Sequence, residues 1–418
     1  MLVNLAIVFI IAMGLIVIFE KMRLPGLLGM ILTGVLLGPY SKTWLSNFIN
    51  IDLFKNIFIS DKLIDMSGEL RTAALIVILI RAGLGINKKT LNKIGISAVK
   101  MSCIPGIMEG ITLIIVLHYF VGMPVIEAGL LAFVLAAVSP AVIVPQMLEL
   151  KEKGYGKKKE VPTLVLAGAS IDDVFAITIF GAFLGMLSAG GMKNNLLMDI
   201  INIPISIALG ILGGVILGYC FVKFCKKYHM RDTKKVLIFM IIAILFHRIE
   251  EIKIVPLASL LGIMAMGFVI LEKYEVLAKR LAVKFNKVWV LAEIVLFVMI
   301  GAAVNVGVIF QSGLWGILII ALGLVGRSIG VWISLLGSEL NKKEKIFCVL
   351  AYLPKATVQA AIGGVALSMV TKGEIVLSNG IITGEYILAM AVLSIVFTAP
   401  LGAIAVKIGA PKLLGIEE

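Results

Sequence analysis

Two adjacent aspartates in the middle of a long apolar run constrain the fold of this chain more than any other feature. The run extends from Val161 to Leu187 and holds Asp172 and Asp173 near its centre. A helix of that length can cross a bilayer, because each residue adds about 1.5 Å along the helix axis. Insertion scales place the cost of one Asp at the centre of a membrane helix at about 2.5 to 3.5 kcal/mol. Two such carboxylates therefore indicate a site that holds a proton or a cation.

The composition indicates an all-α polytopic membrane protein, since 60% of the 418 residues are hydrophobic. The apolar runs are long and unbroken, whereas a β-barrel would have short alternating segments. The net charge of +13 resides mainly in short connections between these runs, so topology explains it and we expect no nucleic acid partner. The four cysteines are scattered along the chain. Their spacing predicts neither a disulfide framework nor a metal site, and we expect no cofactor.

About thirteen apolar runs can be interpreted as transmembrane helices. They fall at residues 2–19, 25–39, 70–86, 93–119, 125–148, 161–187, 200–222, 235–248, 254–271, 287–309, 313–336, 345–370 and 384–407. The connections after odd-numbered runs carry far more lysine and arginine than the others. This bias predicts a multi-pass protein of the cell membrane with its N-terminus outside and its C-terminus in the cytoplasm.

Short matches between runs that are seven apart predict two inverted repeats. The second run contains Leu27–Gly34 and the ninth contains Leu260–Gly267, and both segments read LLGxxxxG. In the same way, Val134–Pro140 of the fifth run resembles Val349–Pro354 of the twelfth, since both place Val-Leu-Ala shortly before a proline. An odd offset reverses the direction of crossing, so the two halves would have opposite topology, as in many secondary transporters.

The fifth and twelfth runs each contain prolines that predict a broken helix. The relevant residues are Ser139, Pro140 and Pro145 in the fifth run, and Pro354, Lys355 and Thr357 in the twelfth. Proline lacks a backbone donor and clashes with the preceding turn, although an ordinary kink is an alternative. We expect two discontinuous helices that cross near the membrane midplane. Their unwound carbonyls could face a cation, and Lys355 could neutralise the negative ends of the half-helices.

Glu109 in the fourth run and Arg327 in the eleventh are further charges within apolar segments. Arginine is always charged and suits a two-pronged ion pair, so a salt bridge that only closes the bundle is one reading of these two residues. Asp172 and Asp173 differ by about 100° around their helix. One can therefore face a cavity while the other faces a cationic partner. Oxygen ligands of this kind suit hard cations, which favours Na⁺ or Li⁺.

These motifs resemble the cation:proton antiporter superfamily, and most of all its NHA branch of sodium/proton antiporters, the sodium/hydrogen exchanger subfamily B-like proteins. The stretches that carry the resemblance are Pro105–Glu109, Ser139–Pro145, Asp172-Asp173 and, as the most specific one, Leu353–Gly363. The resemblance implies an NhaA-like antiporter fold, a homodimer, and a mobile six-helix core beside a scaffold. It assigns residues 1–92 to scaffold helices 1–3, 93–187 to core helices 4–6, 188–312 to linker helix 7 and scaffold helices 8–10, and 313–418 to core helices 11–13.

The resemblance also implies roles for individual residues. Asp173 would exchange a proton for Na⁺, with Asp172 as a second ion-site carboxylate and with Ser139 and Thr357 as further ion-site residues. Lys355 would hold Asp172 while Glu109 pairs with Arg327. A pair between Asp172 and Arg327 is the alternative, because many electrogenic relatives use a lysine of the eleventh helix for that purpose.

An arginine cannot replace a lysine that supplies a second proton, since arginine does not deprotonate. The presence of Arg327 therefore predicts electroneutral exchange of one Na⁺ or Li⁺ for one H⁺. The alternative function is a sodium-coupled symporter of an organic anion on the same fold. We expect no enzyme activity, because an aspartyl protease needs two carboxylates that face one water, and adjacent residues of one helix serve that chemistry badly.

Overall fold

The computed structural model describes residues 2–22, 24–46, 58–85, 96–188, 196–251 and 257–415, and eighteen helices lie in these ranges. The first nine are α1 (Leu2–Lys21), α2 (Gly26–Leu37), α3 (Pro39–Ser46), α4 (Asp61–Asp65), α5 (Ser67–Gly85), α6 (Ile96–Val121), α7 (Val125–Leu135), α8 (Pro140–Glu152) and α9 (Val161–Ser188). The others are α10 (Leu196–Lys227), α11 (Asp232–Glu251), α12 (Ser259–Lys273), α13 (Glu275–Ala303), α14 (Val306–Ser334), α15 (Lys342–Ala351), α16 (Thr357–Ile362), α17 (Val365–Thr371) and α18 (Ile381–Leu413).

The structure confirms an all-helical membrane protein. Within the described ranges, six helices are long and apolar enough to cross a bilayer, and they belong to α1, α6, α10, α13, α14 and α18. Two of the other predicted runs are divided into shorter helices. The fifth run comprises α7 and α8, and the twelfth comprises α15, α16 and α17.

The tenth predicted run differs from the structure in its bounds. We predicted residues 287–309, whereas α13 begins at Glu275 and ends at Ala303. The first three turns are amphipathic. Their apolar side chains Leu277, Leu281 and Phe285 are fully buried, while charged residues occupy the other face. The charges made this segment read as a loop, although one buried stripe is enough to hold a helix in place.

The helices pack in two groups. In the first group, α10 packs along α12, α2 packs along α13, and α5 contacts both α12 and α13. In the second group, α6 packs along α14 and α9, and α18 contacts α14, α15 and α17. Contacts between the groups run mainly through α16, which touches α5 and α13, and through α9, which touches α10 and α12.

Close approach of α6 and α14 brings two buried charges together. A Cβ atom at Gly330 would lie 2.7 Å from the Cα of Pro105, so the two backbones touch at that point. Small residues permit this kind of contact between membrane helices. The approach places Glu109 of α6 beside Arg327 of α14.

Both predicted helix breaks are present. The fifth run is unwound between Leu135 and Pro140, and the twelfth between Ala351 and Thr357. Pro140 is the first residue of α8, a position where the missing N–H is not needed. We expected Pro145 to take part in this break, but α8 continues through position 145 to Glu152. Pro354 lies inside the second break.

Candidate ion-binding site

The two helix breaks contact each other through hydrogen bonds. The backbone N–H of Ser139 donates to the carbonyl of Pro354 at 2.8 Å. The N–H of Thr357 donates to the hydroxyl of Ser139 at 3.4 Å, and the two hydroxyl oxygens lie 3.5 Å apart. Gln359 donates from its amide to the carbonyl of Ala137 at 2.9 Å. Each break therefore satisfies backbone groups of the other, as unwound chain at membrane depth requires.

Three consecutive carbonyls at the end of α7 accept bonds from donors of the protein. Lys355 Nζ donates to the carbonyl of Leu135 at 2.5 Å, and Arg327 Nη2 donates to the carbonyl of Ala136. The side-chain amide of Gln359 donates to the carbonyl of Ala137. These atoms form the negative end of a helix, which a cation stabilises. The expectation that Lys355 lies at a half-helix end is met. At these three carbonyls the donors are side chains of the protein, and two of those side chains are cationic.

Four buried charges form one connected cluster. Arg327 donates from Nε to Glu109 and lies with Nη2 3.2 Å from Asp172 Oδ2. Lys355 Nζ lies 2.6 Å from Glu109 Oε1. Each side chain is at most 1% exposed. Two acids and two bases balance when all four are ionised, which is the arrangement that buried charges need.

The pairing within this cluster corrects one of our expectations. Lys355 pairs with Glu109, and the structure places no salt bridge between Lys355 and Asp172. Arg327 instead contacts Asp172 and Glu109 together, which combines the expected Glu109–Arg327 pair with the alternative Asp172–Arg327 pair. The reason is geometric, because a guanidinium has donors along several edges whereas an ammonium is compact.

The adjacent aspartates of α9 have different surroundings. Asp172 Oδ2 accepts a bond from the N–H of Val138 at 2.9 Å in addition to its contact with Arg327. Asp173 is 6% exposed, and its Oδ1 atom has no hydrogen-bond partner among the described residues. A buried carboxylate without donors is costly unless it binds a proton or a cation. The Oδ1 atom of Asp172 also has no hydrogen-bond partner among the described residues, but Asp172 has a cationic partner there and Asp173 has none.

The structure joins most of the predicted site residues. One network of hydrogen bonds and ion pairs runs through the two helix breaks and contains Ser139, Thr357, Lys355, Arg327, Glu109 and Asp172. Asp173 adjoins that network as the next residue of the same helix. Nothing is described of the side chains of Pro140 and Pro145.

Two residues of the site were missed by sequence reasoning, whereas Gln359 lies within the stretch Leu353–Gly363 that carries the resemblance. Thr398 accepts a bond from the N–H of Lys355 at 2.9 Å, and Tyr352 lies with its ring centroid 5.9 Å from Arg327 Cζ. Thr398 lies in an ordinary apolar run and has no comparable signal in the sequence.

Balanced buried charges, a buried carboxylate without a cationic partner among the described residues, and two helix breaks that meet inside an all-α bundle define a membrane transporter of ions. Residues 6–408 match the protein family described as sodium/hydrogen exchanger, transmembrane. Sodium/hydrogen exchanger 9B2 of Homo sapiens is 36% identical over 413 residues, covering 96% of this chain and 72% of that protein. Sodium/hydrogen exchanger 9B1 of Homo sapiens is 32% identical over 399 residues, covering 94% and 73%. The chain belongs to the sodium/hydrogen exchanger family.

A solved structure supports the fold. The sodium proton antiporter MjNhaP1 from Methanocaldococcus jannaschii at pH 8 superposes with a TM-score of 0.82, and the match covers 99% of this chain and 98% of that one. Its sequence identity of 19% is low, so this likeness concerns the fold. The family match and the two exchangers, together with this fold, confirm the resemblance to cation:proton antiporters that the motifs indicated.

Proposed function

We propose that this chain, a sodium/proton antiporter by family, exchanges Na⁺ or Li⁺ for H⁺ at Asp173 by alternating access. The observation that carries the proposal is the contrast between two neighbouring carboxylates. Asp172 is held through Oδ2 by Arg327 and by a backbone N–H, while Asp173 is almost as deeply buried and forms no salt bridge among the described residues. The Oδ1 atom of each has no donor there. A proton and a cation compete for that carboxylate, so binding one excludes the other and the two fluxes are coupled.

The hydroxyls of Ser139 and Thr357 are proposed to complete the ion site. They lie 3.5 Å apart where the two helix breaks meet, one residue from the N–H that binds Asp172. Hydroxyl and carboxylate oxygens are the ligands that hard cations prefer. Asp172 would contribute as a second carboxylate near the ion, although its own oxygen is already shared with Arg327. Membership in the exchanger family gives no support to the alternative of a sodium-coupled symporter of organic anions.

We expect the exchange to be electroneutral, with one cation moved for one proton. Arg327 holds Asp172 and does not deprotonate, so this pair supplies no second proton. Purified protein in liposomes should therefore show the same Na⁺-driven pH change at zero potential and at 100 mV of either sign. Exchange that moved one net charge would have its equilibrium ion gradient shifted about 50-fold by 100 mV.

The potential is set with potassium and valinomycin, and a pH-sensitive dye reports the flux when NaCl, LiCl or KCl is added. Vesicles that carry Asp173→Asn give the background. A rate or end point that follows the imposed potential would rule out the one-for-one stoichiometry. Identical traces at both signs of potential would support it, and comparison of the three salts would establish the preferred cation.

The finer architecture is also proposed. Thirteen transmembrane helices in two inverted repeats would place the broken fifth and twelfth runs in corresponding positions. The first packing group would be the scaffold (1–92 and 188–312) and the second group the mobile core (93–187 and 313–418), in a homodimer of the cell membrane with the N-terminus outside. The division is supported by the sparse contacts between the groups. The boundary at 92/93 lies outside the described residues.

Movement of the core past the scaffold requires some hydrogen bonds to break. Glu385 of α18 accepts bonds from Tyr40 Oη at 3.0 Å and from Asn305 Nδ2 at 3.1 Å, and both donors belong to the proposed scaffold. A double change of Tyr40→Phe with Asn305→Leu should loosen this contact. We expect faster amide hydrogen exchange in the first turns of α18, and an apparent Na⁺ affinity changed about tenfold, since bonds to a charged group are worth roughly 1.5–3 kcal/mol each.

Tyr386→Phe is the matched control, because it makes the same chemical change one residue along α18 without touching Glu385. Mass spectrometry of exchanged peptides provides the first readout and dye-monitored flux the second. If the double variant shows the same amide hydrogen exchange and the same ion flux as the control, the bonds around Glu385 do not restrain movement between the two groups of helices.

A further inference from the structure

Tyr352 lies against the guanidinium that holds the ionic cluster together. It is the residue that caps α15, immediately before the second helix break, and it is fully buried. Its ring centroid is 5.9 Å from Arg327 Cζ, a distance at which an aromatic face attracts a cation. The edges of the same guanidinium donate to Glu109, to Asp172 and to the carbonyl of Ala136.

The other end of the Tyr352 side chain rests on a glycine. A Cβ atom at Gly168 of α9 would lie 2.0 Å from the Tyr352 hydroxyl oxygen, but 3.4 Å from its Cζ atom. The hydroxyl is buried and has no hydrogen-bond partner among the described residues. Gly168 precedes Asp172 by one helical turn. The tyrosine ring therefore fits beside Arg327 because position 168 carries no side chain.

We propose that Tyr352 is a positioning residue of the exchanger and that Gly168 provides the space it needs. Hydrogen bonds along its edges fix Arg327 within one plane, and contact with an aromatic face prevents the guanidinium from tilting out of that plane. An Arg327 held in this way keeps Asp172 paired, so Asp172 does not compete with Asp173 for the incoming cation. This inference rests on the proposed role of Asp173.

The ring and the hydroxyl of Tyr352 make separable contributions. The ring contacts Arg327, whereas the hydroxyl has no partner in this structure and only contacts Gly168. Phenylalanine keeps the ring and removes the oxygen, while leucine removes the aromatic face. A role through the ring predicts that Tyr352→Phe behaves like the unmodified protein and that Tyr352→Leu does not.

Gly168→Ala provides an independent test of the same contact. Its Cβ would meet the Tyr352 oxygen at 2.0 Å and push the ring away from Arg327. Combining Gly168→Ala with Tyr352→Phe removes that oxygen and leaves the ordinary 3.4 Å contact with Cζ. The Cβ of Met101, 2.9 Å from the added methyl, is the same in both backgrounds, so any strain from it cancels in the comparison.

The experiment measures the apparent Na⁺ affinity and the maximal rate of exchange in proteoliposomes for the four variants. We expect Tyr352→Leu and Gly168→Ala to change the affinity about tenfold, with a smaller effect on the maximal rate. Tyr352→Phe should stay within about twofold, and the double variant Gly168→Ala/Tyr352→Phe should recover most of the affinity. A merely structural role would change the amount of folded protein and leave the affinity of the folded fraction unaltered.

Three results would overturn the proposal: an unchanged Na⁺ affinity in Tyr352→Leu, an equal loss in Tyr352→Phe, or no recovery in the double variant. If Tyr352→Leu does not fold, the comparison of Gly168→Ala with the double variant still decides. The rise in unfolding temperature of detergent-purified protein with NaCl, against choline chloride, gives a binding readout without transport. Absence of exchange by the unmodified protein would refute the proposed function, while the order of the variants in this binding readout would still test Tyr352.

Discussion

Asp173→Asn is expected to reduce Na⁺-driven proton flux to the level of protein-free vesicles while the protein still folds. Asparagine has nearly the same shape as aspartate, but it offers no negative charge to a cation and takes up no proton. Asp173 forms no salt bridge among the described residues, and its Oδ1 atom has no donor there, so the substitution removes no stabilising contact of that atom. The unfolding temperature in detergent should stay the same or rise, since an unpaired buried carboxylate is destabilising.

Asp172→Asn is the matched comparison, because it makes the same chemical change one residue earlier. Asp172 pairs with Arg327 at 3.2 Å and accepts a bond from the N–H of Val138 at 2.9 Å. Asparagine keeps an acceptor oxygen but removes the negative charge that pairs with Arg327, so we expect a lower unfolding temperature. Dye-monitored flux and thermal unfolding of the two variants test this division of roles. Sodium-dependent proton flux in Asp173→Asn, clearly above the protein-free control, would refute the assignment of the exchanging carboxylate.

Those features that depend on local chemistry could be predicted from the sequence. A proline lacks a backbone donor wherever it lies, so Pro140 and Pro354 indicated both breaks, although α6 and α18 continue past Pro105 and Pro400. A pair of carboxylates at mid-span is costly in any bilayer, so Asp172 and Asp173 marked the site before any contact was known. Whether a proline begins, ends or kinks a helix depends also on the surrounding packing. The continuation of α8 through position 145 is an example.

The choice of ionic partner could not be predicted, because it depends on how closely distant helices approach. Arg327 lies 155 residues from Asp172 and 218 from Glu109, and it reaches both because α6 and α14 touch at Gly330. Sequence spacing placed Lys355 near the half-helix ends but could not show that Glu109 would be its partner.

The contact of Tyr352 with Gly168 could not be predicted either, because it also depends on how distant helices pack. A tyrosine before a proline and a glycine in an apolar helix are each unremarkable in sequence, and only the packing of α15 against α9 brings them together. The long α13 was missed at its start for a related reason. Its charged face resembles a loop until its buried face is known.

Arg327→Ala is expected to destabilise the protein far more than Lys355→Ala. Arg327 contacts both acids of the cluster, so its loss leaves Glu109 and Asp172 with Lys355 as the single nearby base. Breaking a buried pair in this way typically costs about 3–5 kcal/mol, because an uncompensated charge stays buried. Lys355→Ala also leaves two acids with one base, but that base is Arg327, which still contacts both of them, so a smaller loss of about 1–3 kcal/mol is expected.

Arg280→Ala is the matched control, since Arg280 is half exposed and forms a surface ion pair at 3.2 Å with Asp232. Surface pairs contribute at most about 1 kcal/mol, so this variant should unfold almost like the unmodified protein. Adding Glu109→Gln to Arg327→Ala should restore part of the stability, because the negative charge of Asp172 and the positive charge of Lys355 then balance. Denaturant or thermal unfolding in detergent gives the order of the variants. A loss in Lys355→Ala as large as that in Arg327→Ala would mean that Lys355, rather than the guanidinium between the two acids, carries most of the charge compensation.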